Sequence, residues 1–150
     1  MIKAVILNII CTLTSGALCV KNSEVRLHDS PHAQSPVTWT VGKYTPLIKL
    51  EKKGLWYRVE DQDGETHWVH SQFVTSQFQC LSIKSKNAKI RMGPGSQYPL
   101  AFYGNADKYS SFKRLNRQDN WHQVEDDWGK SFWIHDSIAW RPVSVNAIGF

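Results

Sequence analysis

Slid along itself until Lys43 falls on Lys108, the chain repeats. At this offset Lys43-Tyr44 matches Lys108-Tyr109, Leu50 matches Leu115, Trp56 Trp121, Val59-Glu60-Asp61 Val124-Glu125-Asp126, Gly64 Gly129, Trp68 Trp133 and His70 His135. These are ten identities in the 28 positions from 43 to 70, where chance gives about two. Arg26 meets Arg91 at the same offset. The chain must therefore build one small unit twice, over 18–75 and 79–140, with a tail over 141–150.

Each unit reads as short strands and tight turns. Trp56-Tyr57-Arg58-Val59-Glu60 alternates with a period of two, Asp61-Gln62-Asp63-Gly64 is a turn, and Thr66-His67-Trp68-Val69-His70 resumes the alternation. The second unit repeats this hairpin as 121–125, 126–129 and 131–135. Before it, 112–115 is a short strand closed by a polar turn over 116–120. No stretch beyond Ala17 keeps apolar side chains at helical spacing for three turns. Seven Trp, five Tyr and six Phe against two Met fit small β cores built on rings.

Residues 1–17 have the pattern of a secretory leader. Lys3 supplies a cationic start, residues 4–13 are largely apolar, and Ser15 and Ala17 stand at the small-residue positions of a cleavage site. The apolar run is too short to span a bilayer, so no stable membrane insertion follows cleavage. Leu18 before Cys19 does not suit lipidation. Cys11 leaves with the leader, and Cys19 and Cys80 remain as an even pair in an oxidising compartment. A bridge between them is expected, with two buried thiols as the alternative.

A net charge of +5 favours an anionic partner, but the 18 basic residues are dispersed among 13 acidic ones. Lys84, Lys86, Lys89 and Arg91 do not form a phosphate-tracking stripe, which excludes nucleic acid. A cysteine nucleophile would need a helix start and a nearby base, and neither Cys19 nor Cys80 has them. No Gly-x-Ser-x-Gly elbow is present, and the carboxylates at 61–63 and 126–127 sit at solvated hairpin tips. A His-x-x-His spacing on a strand, as in His67 and His70, turns the two rings to opposite faces and spoils a shared metal site. His70 and His135 are read instead as a repeated structural hydrogen bond. No enzyme, cofactor or metal is called for.

The run Ala88-Lys89-Ile90-Arg91-Met92-Gly93-Pro94-Gly95-Ser96-Gln97-Tyr98-Pro99, then Trp121-His122-Gln123-Val124, then Gly129-Lys130-Ser131-Phe132-Trp133-Ile134, resembles the bacterial SH3-like domain family. In the first unit Trp56-Tyr57-Arg58-Val59 and Gly64 to Val69 fit the same pattern. There Arg26-Leu27-His28-Asp29-Ser30-Pro31-His32 stands in place of the Gly-Pro-Gly loop, with two extra residues before Pro36. The resemblance implies an all-β chain of two tandem small SH3-like β-barrels, of a kind that attaches proteins to cell-wall peptidoglycan.

The resulting expectation is a periplasmic or secreted monomer of two rigidly joined modules that binds peptidoglycan or its stem peptides. The alternative is an envelope scaffold that binds another protein through an aromatic groove. Tyr98, Tyr103 and Trp128 lie in loop-like segments where burial does not account for a ring, and Arg91 or Lys130 would meet a carboxylate. Trp128 stands out because Asp63 occupies the equivalent position. Trp56, Trp68, Trp121 and Trp133 are assigned to the core or the groove floor.

Overall fold

The computed structural model describes residues 16–142, apart from the side chain of Tyr103. Residues 1–15 of the expected leader and Val143, Val145 and Phe150 of the tail lie outside the described residues. The fold is all-β with two antiparallel sheets, and its helical content among the described residues is two single-turn 3-10 segments, Ser71–Phe73 and Asp136–Ile138. None of the described helices is long and apolar enough to cross a membrane.

The first sheet contains β1 (Gly16–Val20), β2 (Glu24–His28), β3 (Val37–Gly42), β4 (Pro46–Lys53), β5 (Trp56–Glu60), β6 (Thr66–His70) and β7 (Val74–Thr75), in the order β3-β2-β6-β5-β4-β1-β7. The second contains β8 (Gln79–Ile83), β9 (Ala88–Arg91), β10 (Leu100–Ala106), β11 (Ser111–Gln118), β12 (Trp121–Glu125), β13 (Ser131–His135) and β14 (Ala139–Trp140), in the corresponding order β10-β9-β13-β12-β11-β8-β14. Gly16 and Ala17, the last two residues of the expected leader, pair in β1 with Lys49 and Ile48.

Three of the identities of the repeat, the shared Tyr, Gly and Leu, mark positions where the backbone is unusual. Tyr44 and Tyr109 both adopt left-handed φ, 69° and 74°, and each ring lies under the ammonium of the lysine before it. Gly64 and Gly129 have φ of 81° and 79°, which a side chain would strain, and this is why both hairpin turns carry glycine. In each turn one aspartate oxygen accepts two backbone N–H groups, from Asp63 and Glu65 at Asp61 and from Trp128 and Lys130 at Asp126. Leu50 and Leu115 fall at the register shifts in β4 and β11, where a bulge bends an eight-residue strand.

Each sheet folds around its own apolar cluster. Leu27, Leu47, Val59 and Val69 centre the first, and Ile90, Phe112, Val124 and Ile134 the second. The hairpins differ in one buried histidine each, and the first module also buries His28. His67 takes the position of Phe132, and its Nε2 lies 2.8 Å from Asp61 Oδ2 while its Nδ1 lies 2.6 Å from Thr38 Oγ1. His122 takes the position of Tyr57 and is fully buried. Arg114 Nε–H donates to His122 Nδ1 at 3.1 Å, so the remaining ring proton is on Nε2, which donates to Asp136 Oδ1 at 2.7 Å. Burial holds the His122 imidazole below its ordinary value, and the hydrogen bond from His122 does the same for the Asp136 carboxyl.

Cys19 and Cys80 are joined by a disulfide, with Cα atoms 6.0 Å apart, and the bond is compatible with an extracytoplasmic protein. Tyr44 and Phe78 pack around it. Away from the disulfide, side-chain hydrogen bonds and one ring pair also join the two sheets. Gln62 donates to the Ile83 carbonyl at 3.2 Å and accepts from Ser82 Oγ at 2.5 Å, and Tyr109 Oη donates to Asp63 Oδ2 at 2.7 Å. The Trp39 and Tyr109 rings meet edge to face. The first hairpin turn is thus closed against the second sheet.

Candidate functional site

Strand pairing corrects the upstream alignment of the two units. His28 on β2 pairs with Trp68, and Arg91 on β9 pairs with Trp133, so His28, not Arg26, is the counterpart of Arg91. Both side chains make the same hydrogen bond. His28 Nδ1 bonds the Ser35 carbonyl at 2.9 Å, and Arg91 Nη1 donates to the Tyr98 carbonyl at 2.9 Å. The offset upstream is therefore shorter by two than the offset of the hairpins, and the loops 28–36 and 91–99 have the same length.

They also share a path. The N–H groups of Asp29 and Met92 donate to the carbonyls of Pro36 and Pro99, and those of His32 and Gly95 to Ser30 and Gly93. The first loop carries no extra residues. The two residues of difference lie in β10, where the register shifts between Leu100 and Asn105 and Gly104 takes φ of 68°. That irregularity carries Phe102 and Tyr103, so Tyr103 belongs to a strand and not to a loop. Its side chain lies outside the described residues.

With this register, one groove appears twice. In the first sheet, Arg26, His28, Trp56, His70 and Phe73 line a concavity of about 520 Å³. In the second, Lys89, Arg91, Trp121, His135 and Ile138 line one of about 480 Å³. The indole of each groove meets its histidine edge to face, Trp56 with His70 at 5.3 Å and Trp121 with His135 at 5.1 Å between centroids. The histidines hold the ends of their grooves in place, because His70 Nδ1 accepts from Gln72 N–H and His135 Nδ1 from Ser137 N–H at the start of each 3-10 turn. His28 adds a second edge-to-face contact with Trp56.

The grooves differ in charge. Glu24 lies on the rim of the first beside Arg26, whereas Lys86, Lys89 and Arg91 surround the second. Of the expected site residues, Arg91 lines this groove and Tyr98 is bound to it through its carbonyl. The Tyr98 ring covers Gly93, where an added Cβ would lie 2.2 Å from the ring. Trp128 and Lys130 are elsewhere, on the second hairpin turn. Trp128 is 84% exposed and lines a different cleft, between the two sheets. Sequence reasoning misses Lys89 and His135 as groove residues and leaves Trp121 between the core and the groove floor, where it lines the groove. The signal is present in the shared Trp and His of the repeat, but packing accounts for the same pattern.

Among the described residues, no group of three or more His, Cys, Asp or Glu side chains could hold a metal. Both cysteines among the described residues are in the disulfide, so neither is a nucleophile in this state.

Residues 23–75 match the family model described as bacterial SH3 domain. The match falls on the first unit, the one without a Gly-Pro-Gly loop. A comparison with curated proteins finds no match. Among solved structures, the chain is similar to NlpC2 and NlpC1 from Trichomonas vaginalis, with 10% and 11% identity and a TM-score of 0.39 for each. These alignments cover 87% and 88% of this chain and 49% and 48% of theirs, so the chain spans about half the length of either protein. It is also similar to the endolysin LysPBC5 CBD, with 15% identity and a TM-score of 0.33, over 85% of this chain and 94% of that one.

Proposed function

We propose that the protein is an exported, non-catalytic pair of SH3-like barrels that recognises cell-wall peptidoglycan, holding a stem peptide in the groove of the second module. The bacterial SH3 match over 23–75 supports the class. The observation that carries the ligand is the pairing of an indole floor with three cations, Lys86, Lys89 and Arg91, around one concavity. A stem peptide presents carboxylates and amides on a short extended backbone. A guanidinium anchored through one N–H to Tyr98 keeps its other donors for a carboxylate, and a half-buried indole gives contact area at little entropic cost. The first groove, with Glu24 on its rim and His28 in the place of Arg91, is the weaker site for an anionic peptide.

The test is co-sedimentation of the purified protein with insoluble peptidoglycan at low and moderate salt. Lys86 and Lys89 are exposed, so Lys86→Glu with Lys89→Glu reverses the charge of the groove without touching the core. Salt-sensitive binding that this variant loses supports the reading. An absence of co-sedimentation at either salt refutes it.

A second reading, a scaffold for another envelope protein, is favoured by one feature. Met92, Leu100 and Phe102 are 53%, 44% and 94% exposed on and beside β10, an edge strand of the second sheet. In the first module Asp29 and Val37 replace Met92 and Leu100. Binding of that kind would be insensitive to salt and would be lost in Phe102→Ser.

A further inference from the structure

The two hairpin turns are equivalent by sequence and by their aspartate-centred hydrogen bonds, yet they meet the rest of the molecule differently. The first turn is closed, because Asp63 accepts from Tyr109 and Gln62 is bonded to Ile83 and Ser82. The second turn is open. Between it and the first module lies a cleft of about 490 Å³, with Lys43 and Thr45 on one side and Tyr109, Ser111, Asp127 and Trp128 on the other. Where the closed turn has Asp63, the open turn has an indole that is 84% exposed.

Nothing in the fold requires that ring. Its backbone N–H is bonded to Asp126 Oδ1, as the N–H of Asp63 is to Asp61 Oδ1, so the turn forms equally well with either side chain. Exposing a tryptophan costs solvation free energy, and an unforced exposed indole at the mouth of a cleft marks a contact surface. The chemistry of the walls narrows the ligand. They offer hydroxyls, a carboxylate and an ammonium around one flat apolar face. A pyranose ring is the complement, with a C–H face to stack on the indole and hydroxyls around its edge to donate to Asp127 and to Ser111 Oγ, whose own proton goes to the Tyr109 carbonyl, and to accept from Lys43.

The cleft is held open at a fixed width. The Cys19–Cys80 disulfide and the Tyr109–Asp63 hydrogen bond join the modules, and the 3.4 Å hydrogen bond between Thr45 Oγ1 and Ser111 Oγ closes the cleft at the point where they meet and sets its width beyond it. We propose that this cleft between the modules is a saccharide site, with Trp128 as its stacking platform. It rests on the cell-wall reading above only for the source of the sugar, since peptidoglycan carries glycan strands beside its stem peptides.

The experiment titrates the full-length protein with chitotetraose, and in a second arm with cellotetraose, and follows backbone amide shifts by NMR. The expected result is saturable binding of at least one tetrasaccharide, with shifts at 43–45 and 109–112. Trp128→Ala should weaken it by about tenfold or more, and Lys86→Glu with Lys89→Glu should leave it unchanged. Absence of saturable binding of either sugar overturns the proposal even if the protein sediments with peptidoglycan. Binding that survives Trp128→Ala overturns it as well. Loss of sedimentation in the double lysine variant alone bears on the groove and not on the cleft.

Discussion

The disulfide closes a ring around nearly the whole first module, because Cys19 lies in β1 and Cys80 in β8, with a sequence separation of 61. The chain-entropy relation assigns about 4 kcal/mol to a loop of this length at room temperature. A unit of about 60 residues has only about 3–5 kcal/mol of its own, so the bond is comparable to the whole stability of the module it encircles. Cys19→Ala with Cys80→Ala removes the ring, and the loss of two buried sulfurs adds on the same side. The expected consequence is local. Amide exchange measured by mass spectrometry should show protection in peptides from 24–75 falling by about a thousandfold, since each 1.4 kcal/mol is about tenfold. Peptides from 88–140 lie outside the ring and should change by less than about tenfold. Equal loss in both modules, or less than about tenfold loss in the first, would refute the assignment of the bond's effect to closure of the first module.

Two further outcomes follow from the second module. His122 and Asp136 both bind protons less readily folded than unfolded, so their contribution to stability is present above the unfolded histidine value of 6.5 and declines as pH falls through it, with the Asp136 share lost below 3.8. In His122→Gln the amide can accept from Arg114 and donate to Asp136 without titrating, and thermal melts should lose much of the stability slope between neutral pH and about pH 5; an unchanged slope would contradict the neutral-imidazole assignment. Gly93→Ser should destabilise the module by about 1–3 kcal/mol in urea denaturation, because its Cβ would enter the Tyr98 ring. Adding Tyr98→Ser recreates the Ser30 and Ser35 pair of the first loop and should recover most of the loss, and failure to recover it would show that the two loops are not interchangeable.

The parts of this protein that depend on neighbours in the chain were legible in its sequence. A period-two strand, an Asp-x-x-Gly turn and another period-two strand specify a hairpin within the single stretch from Trp56 to His70, and the recurrence of that string at 121–135 exposed the repeat. The shared Tyr, Leu and Gly positions also had local causes, a left-handed φ or a bulge, that any copy of the unit must satisfy.

The parts that depend on which strands pair were not legible. Arg26 and Arg91 share a residue type and an offset, but strand register gives the place of Arg91 to His28, since the two-residue difference sits in β10 and not in the loop before it. Each groove takes its indole and its histidine from one hairpin, where Trp56 pairs with His70 and Trp121 with His135, but its cation, Arg26 or Arg91, comes from a strand that the sheet order brings beside that hairpin from well upstream. Period and composition describe one strand at a time, so they establish that Trp56 and Trp121 lie on strands without deciding what those rings face. The closure of one hairpin turn on Tyr109 and the opening of the other beside Trp128 are set by the packing of two modules around a disulfide, a long-range geometry that no local pattern encodes.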